Sequence, residues 1–480
     1  MKKLLILLLI ALVIFLGIIF YNFSQTKPQA STNTTIATDL SSIKGQNERI
    51  SKSITFQTVS YEDTTLIDYD QFLAFHEFLK TSYPIVFEKL ELEMVSNYSM
   101  VLKWKGNDPT LLPGIFMAHQ DVVPVSDDTK DLWKNPPFEG LIIDGVLHGR
   151  GAIDDKINLM AQLESVQFLL ENEFQPKRDI YLVFGHDEEI GGKQGAVKIA
   201  ELMQSRGIKA EFVLDEGGFV TNDKVPGMTE AVALIGTSEK GYLNLDLSVN
   251  INGGHSSMPT PENAIAVLAK AITDLNSQPF SPRLTTSVKD FLNHIAPHSS
   301  FVNKLAMSNL WVFQPIVFNI YSKSGPGDAM IRTTMVPTII NGGNKANVIP
   351  NIVKATVNLR LLPGTSIQDA IQHVTKAVNN PLVNIEAQPG AMEASAVSPI
   401  DNEVFRNFKS KIETHFDNAI VAPFLMIGGT DSRHFNIVSE NIYKFSPMID
   451  PEGFHGVNEQ LNLKDYNKTI GFYVDFLKEL

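Results

Sequence analysis

Three apolar runs in this chain end in side chains that can hold a metal. "GIFMAHQDVVPV" delivers His119 and Asp121, "YLVFGHDEEIGG" delivers Glu188 and Glu189, and "AEFVLDEGG" delivers Asp215 and Glu216. A fourth pair, Asp154 and Asp155 of "LHGRGAIDDKINLM", stands just before a helical pattern. Acids gathered this way are costly to bury without a counter-charge, and the chemistry they suit is metal-assisted hydrolysis. His119 and Asp121 are two apart and point to one side of an extended chain. That suits His119 as a ligand and Asp121 as the partner of its other ring nitrogen. Asp154 is a carboxylate able to bridge two cations. Of the adjacent Glu188 and Glu189, one can ligate while the other takes a proton from water. Taken singly, each fragment also has an ordinary reading as a structural histidine, a helix-capping acid or a solvated charge run. Their convergence is the signal. The chain has no cysteine, so thiolate ligands and disulfides are excluded, and imidazole with carboxylate suits Zn, Mn or Co better than Ca or Mg.

The elements that must position these residues alternate. "LLPGIFMAH", "DIYLVFG" and "AEFVLDEGG" read as strands, while "INLMAQLESVQFLLENEF" reads as an amphipathic helix and "GAVKIAELMQSRG" as another helix. Strands alternating with helices predict an α/β layer structure with a mainly parallel sheet, which delivers ligands to the crevice beyond its strand ends. The middle of the chain has another rhythm. "GYLNLDLSVN", "ENAIAVLAKAITDLNS", "RTTMVPTIING", "NIVKATVNLRLL", "SIQDAIQHVTKAVNN" and "LVNIEAQ" give β-α-β-β-α-β, a split-βαβ, ferredoxin-like unit. This predicts an inserted domain over 240–391, with a helical insertion near 280–330, between catalytic segments 46–239 and 392–480.

At this point the residues resemble a known family. "MAHQDVVPV", "GRGAIDDK", "GHDEEIGG", "LDEGG", "GGHSSMP", "NVIP", "LRLLPG", "GGTDSRHF" and "GFHGVNE", in this order, are similar to the dinuclear zinc metallopeptidases that include aminoacylase, carboxypeptidase S and succinyl-diaminopimelate desuccinylase. The match runs from about residue 46 to the C-terminus. The resemblance implies two Zn²⁺ per chain, with Co or Mn as substitutes, held by His119, Asp154, Glu189, Glu216 and His455. Asp154 would bridge, and the choice of Glu216 over Asp215 is the open one. It further implies Glu188 as general base, Asp121 behind His119, and His255 as an oxyanion donor, often reaching across a dimer. A cis bond between the paired aspartates is also implied. Arg360, Asn347, Gly428, Gly429 and Thr430 would bind substrate, and the inserted domain would act as a lid and dimerisation surface.

The implied reaction is hydrolysis of an amide bond next to a free C-terminal carboxylate, as in carboxypeptidase S or an N-acyl amino acid hydrolase. A dipeptidase or desuccinylase-type deacylase is the alternative chemistry, and a membrane-tethered binding protein on the same scaffold is the non-enzyme alternative. A net charge of −13 argues against a nucleic-acid partner. Residues 1–22 open with Lys2 and Lys3, and Leu4 to Phe20 are 17 apolar residues, spanning roughly 26 Å as a helix. This predicts a membrane anchor through 4–20 with the catalytic part outside the cytoplasm, or a secreted protein if the segment is a cleaved signal. Residues 23–45, rich in Ser, Thr, Asn and Gln, read as a linker.

Overall fold

The computed structural model describes residues 1–28 and 36–480, so part of the expected linker lies outside the described residues. The largest sheet runs Glu91–Val95, Ser99–Trp104, Ile180–Gly185, Gly114–His119, Phe212–Asp215, Ile442–Lys444, Val232–Glu239 and Ile420–Met426, with Val220–Thr221 appended to Val232–Glu239. Its centre is parallel: Gly114–His119 lies between Ile180–Gly185 and Phe212–Asp215 and runs with both. The first two central strands are buried throughout, as expected where helices cover both faces.

One face is closed by helices Lys156–Glu171, Glu403–His415 and Leu463–Leu477 around Phe116, Leu182, Phe408 and Phe472. The other carries helix Ala196–Ser205 and the short turn Asp431–Ile437. Helix Lys156–Glu171 differs from the amphipathic expectation. It is buried on nearly every side because Leu463–Leu477 covers its outer face. Its buried Glu164 is satisfied by Arg49 at 2.6 Å and by the Tyr83 hydroxyl at 2.8 Å.

Between the parallel neighbours Val232–Glu239 and Ile420–Met426 the chain leaves to build a second sheet. Its order is Thr334–Gly342, Ile352–Leu361, Gly241–Asn250, Val383–Ala387, all antiparallel. Strand Gly241–Asn250 alternates, with Leu243, Leu245, Leu247 and Val249 turned inward. Helices Ala264–Ser277 and Ile367–Val378 cover that face. The second is opened by a capping box between Ser366 and Asp369 and closed by Asn379 in the left-handed region.

The helical insertion near 280–330 does not extend this smaller core. Helix Thr286–Ile295 puts Val288, Phe291, Leu292 and Ile295 on one stripe, and that stripe covers Val232, Leu234, Ala422 and Leu425 of the large sheet. The N-terminal helix also overruns its expected end, continuing from Lys2 to Gln25. Past the undescribed residues, Thr38 is tied to Asp475 through its amide and hydroxyl, so this part of the linker is packed.

Candidate metal centre

His119 is the last residue of its strand, Glu188 and Glu189 follow Ile180–Gly185, and Glu216 follows Phe212–Asp215. All four therefore emerge at the carboxyl ends of three adjacent parallel strands. Asp154 arrives from the loop before helix Lys156–Glu171, across a cis peptide bond to Asp155. His455 arrives from a turn near the C-terminus with a left-handed φ of 51°.

These side chains form two overlapping triads. His119, Asp154 and Glu216 make one, and Asp154, Glu189 and His455 make the other, so Asp154 belongs to both. Its Oδ1 lies 3.0 Å from His119 Nε2 and its Oδ2 lies 3.0 Å from His455 Nε2. Glu216 Oε1 is 3.6 Å from His119 Nε2, and Glu189 Oε2 is 3.2 Å from His455 Nε2. Ligands on a tetrahedral zinc at about 2.0–2.1 Å stand roughly 3.3 Å apart. Hydrogen bonding accounts for the arrangement less well. A single ring N–H serves two carboxylates only as a shared three-centre bond, and His455 Nε2 faces both Asp154 and Glu189.

The electrostatics agree with a cationic occupant. Asp154 and Glu189 push His455 up to about 10. Glu216 is pushed well above the usual carboxylate range by burial, then by Asp154 and Asp155. Glu188 is raised in the same way by burial and by the charges of Glu189, Asp431 and Asp154, with His119 opposing. Glu189 Oε1 is buried with no hydrogen-bond partner among the described residues. With the three triad carboxylates and Glu188 ionised, their four negative charges would be balanced by two divalent cations. The donor set therefore fits a pair of such ions.

Asp121 stands behind His119 and reaches beyond it. His119 Nδ1 lies 2.9 Å from the Asp121 main-chain carbonyl and 3.3 Å from its carboxylate. That carboxylate also accepts the backbone N–H groups of Glu188 at 3.2 Å and Glu189 at 3.1 Å. It thus ties the His119 strand end to the loop carrying the glutamate pair. Burial alone would raise Asp121, but its contacts with His119, Ser60 and the Glu189 amide hold it below the usual range. The rest of the "HDEE" run faces elsewhere. His186 bonds Ser99 Oγ at 2.6 Å, and Asp187 accepts the amides of Gln194 and Gly195. Asp215 accepts the amides of Glu216 and Ser432 and belongs to neither triad.

The substrate-side candidates do not all meet this cluster. His255 is exposed on the two-residue strand Gly254–His255, paired with Val348–Ile349 beside Asn347, and among the described residues it shares no hydrogen bond or ion pair with the two triads. Its Nδ1 accepts the Ser257 amide at 3.2 Å, which leaves the proton on Nε2 in the neutral ring. Arg360 lies opposite Tyr242 in the smaller sheet, its guanidinium 4.7 Å from the ring centroid. Among the described residues no carboxylate pairs with it. Thr430 spends its hydroxyl on Glu239 at 2.9 Å, and Gly428 and Gly429 precede it in the loop after Ile420–Met426.

Two acids unassigned in the sequence also shape the centre. Glu459 accepts the amides of Gly151 at 3.0 Å and Ile153 at 2.9 Å while pairing with Arg150 at 2.6 Å. Arg150 in turn donates to the Gly456 carbonyl at 2.8 Å, so one ion pair holds both the Asp154 loop and the His455 turn. The buried Asp431 presses on the glutamate loop. At Gly192, with φ +64°, a Cβ would stand 2.1 Å from Asp431 Oδ1, so only glycine fits. "GFHGVNE" and "GGTDSRHF" contain both acids, but nothing local in those stretches shows what they hold.

Comparison with known proteins gives a consistent picture. Residues 115–479 match the model of peptidase family M20/M25/M40. The chain is 42% identical over 441 residues to probable carboxypeptidase S-like 2 of Dictyostelium discoideum, covering 90% of this chain and 84% of that one. It is 36% identical over 437 residues to human N-fatty-acyl-amino acid synthase/hydrolase PM20D1, covering 89% and 85%. Among solved structures it resembles the M20 family metallo-carboxypeptidase Sso-CP2 of Sulfolobus solfataricus, with a TM-score of 0.69 at 19% identity over 91% of this chain and 99% of that one.

Proposed function

Because the chain belongs to peptidase family M20/M25/M40, we propose that it is a zinc-dependent amide hydrolase releasing an amino acid with a free carboxylate from a short peptide or an N-acyl amino acid. The observation that carries this reading is Asp154, shared between two triads of metal-binding side chains. His119, Asp154 and Glu216 would hold one ion and Asp154, Glu189 and His455 the other. Bound there, divalent cations lower the pKa of water and polarise a carbonyl.

The chain's own residues supply the rest. Glu188 stands beside the cluster without belonging to either triad, as a general base must. It takes the proton of the attacking water and passes it to the leaving amine nitrogen. Asp121, through the amides of Glu188 and Glu189, fixes that base relative to His119. His255, with its Nε2 proton set by Ser257, is the donor for the developing oxyanion. Its exposure, without a bond to the triads among the described residues, suits delivery by a second copy, and exposed Val336, Ile339 and Ile340 on the edge strand Thr334–Gly342 suit a homodimer through the smaller unit. Arg360, disfavoured as a bare cation by burial with Arg433 nearby, receives the substrate carboxylate, with Asn347 and the Gly428–Thr430 turn around it.

The N-terminal helix Lys2–Gln25, with a mean hydropathy of 3.3 and only 6% of its apolar window buried, serves as a membrane anchor with the catalytic part outside the cytoplasm. The substrate reading is tested with an N-acyl amino acid and its C-terminal carboxamide. Hydrolysis of the acid with a large loss of kcat/KM for the carboxamide is expected; equal turnover of the two would refute carboxylate recognition.

A further inference from the structure

The helical insertion turns one side to the large sheet and leaves much of the other exposed. Helix Leu310–Tyr321, "LWVFQPIVFNIY", carries no charged residue. Its Trp311 is 59% exposed, Ile316 51% and Ile320 41%, and Phe301 and Val302 of the preceding helix Phe301–Met307 are exposed beside it. A largely exposed apolar face of this kind marks an interaction site.

The occupant is indicated by what already touches this face. The N-terminal helix lies along it: Phe15 packs edge-on against Trp311 at 5.7 Å and Phe23 against Phe301 at 4.9 Å. Asn309 donates to the Ile19 carbonyl at 3.1 Å and accepts from Asn22 at 3.0 Å. If Leu4 to Phe20 span a bilayer from the cytoplasmic side, Phe15 stands five residues, or about 7–8 Å, below the outer end of the span. Trp311, its ring centroid 5.7 Å from that of Phe15, stands beside it. That depth lies within the ~5–10 Å reached by helices lying in a membrane interface.

From this continuity we propose that Phe301–Met307 and Leu310–Tyr321 form a second membrane contact, seated in the outer leaflet beside the anchor. The proposal rests on the anchor reading above. It would lay the catalytic body on the layer into which an acyl-chain amphiphile partitions.

The chain has no cysteine, so single labels can be placed without background. Full-length Val302→Cys, Ile316→Cys and Ile320→Cys, each carrying a nitroxide, are reconstituted in phosphatidylcholine vesicles, with Leu8→Cys reporting the anchor and exposed Ile142→Cys reporting water. Power saturation compares accessibility to oxygen and to a water-soluble nickel chelate. Oxygen access exceeding nickel access several-fold at 302, 316 and 320, as at 8 and unlike 142, supports the proposal. Nickel access at those three positions with position 8 still in lipid overturns it and leaves the anchor intact. Shielding from both reagents would mean that protein covers the face, and also overturns it. Nickel access at position 8 as well overturns the anchor and the proposal together.

Discussion

Arg150 and Glu459 form a buried ion pair of 2.6 Å that joins the loop carrying Asp154 to the turn carrying His455. The remaining capacity of the Glu459 carboxylate goes to main-chain amides of 151, 153 and 154. The pair is therefore a positioning device for two proposed ligands from distant parts of the chain.

Glu459→Gln leaves the Arg150 charge buried without its partner, a defect that costs about 3–5 kcal/mol. Urea unfolding should report a loss of that size. Metal affinity should also fall, by about 10–100-fold as for other groups that orient ligands. Unchanged stability and affinity would show that the pair is dispensable.

Glu188→Gln keeps the shape of the side chain and removes the base. Turnover should drop by at least about 10²–10⁴-fold while metal content stays at the wild-type level, since Glu188 lies outside both triads. A metal-loaded variant with normal kcat would remove Glu188 from the reaction.

Arg360→Lys retains the charge but loses the fork that matches a carboxylate. A rise in KM for N-acyl amino acids exceeding the change in kcat is expected. If KM stays fixed, the carboxylate is received elsewhere.

Acid should loosen the C-terminal helix. Burial would raise Asp475, but hydrogen bonds from His415 Nε2 at 2.8 Å and from Thr38 hold it below the usual carboxylate range. A carboxylate lowered by folding stabilises the native state above its unfolded value of about 3.9 and loses that contribution as pH falls through the folded value. The stability gap between wild type and Asp475→Asn should thus be full near neutrality and close below about pH 4. A gap independent of pH would mean that the charge of Asp475 contributes nothing.

The sequence discloses the parts of this site that depend on strand ends and hides those that depend on distant partners. His119, Glu189 and Glu216 are legible because an apolar run that stops at an acid or imidazole marks the carboxyl end of a buried parallel strand. The alternation in Gly241–Asn250 is legible because one face of an antiparallel sheet is covered and the other is not. Glu459 is hidden because its role is to accept an amide 306 residues away. Helix Lys156–Glu171 is misread as amphipathic because its polar Glu164 is buried, with partners in segments the local pattern does not include. In "HDEE" the composition cannot tell which two side chains pack and which two face the cluster. Backbone direction after Gly185 decides that.

The most direct test is the metal content of chelator-free protein, purified alongside Asp154→Ala and His455→Ala. Wild type should carry two divalent ions per chain, His455→Ala should retain one, and Asp154→Ala should lose both, because its carboxylate alone is common to the two triads. A wild-type chain with a single ion, or an Asp154→Ala chain that still holds two, would contradict a bridged pair at this site.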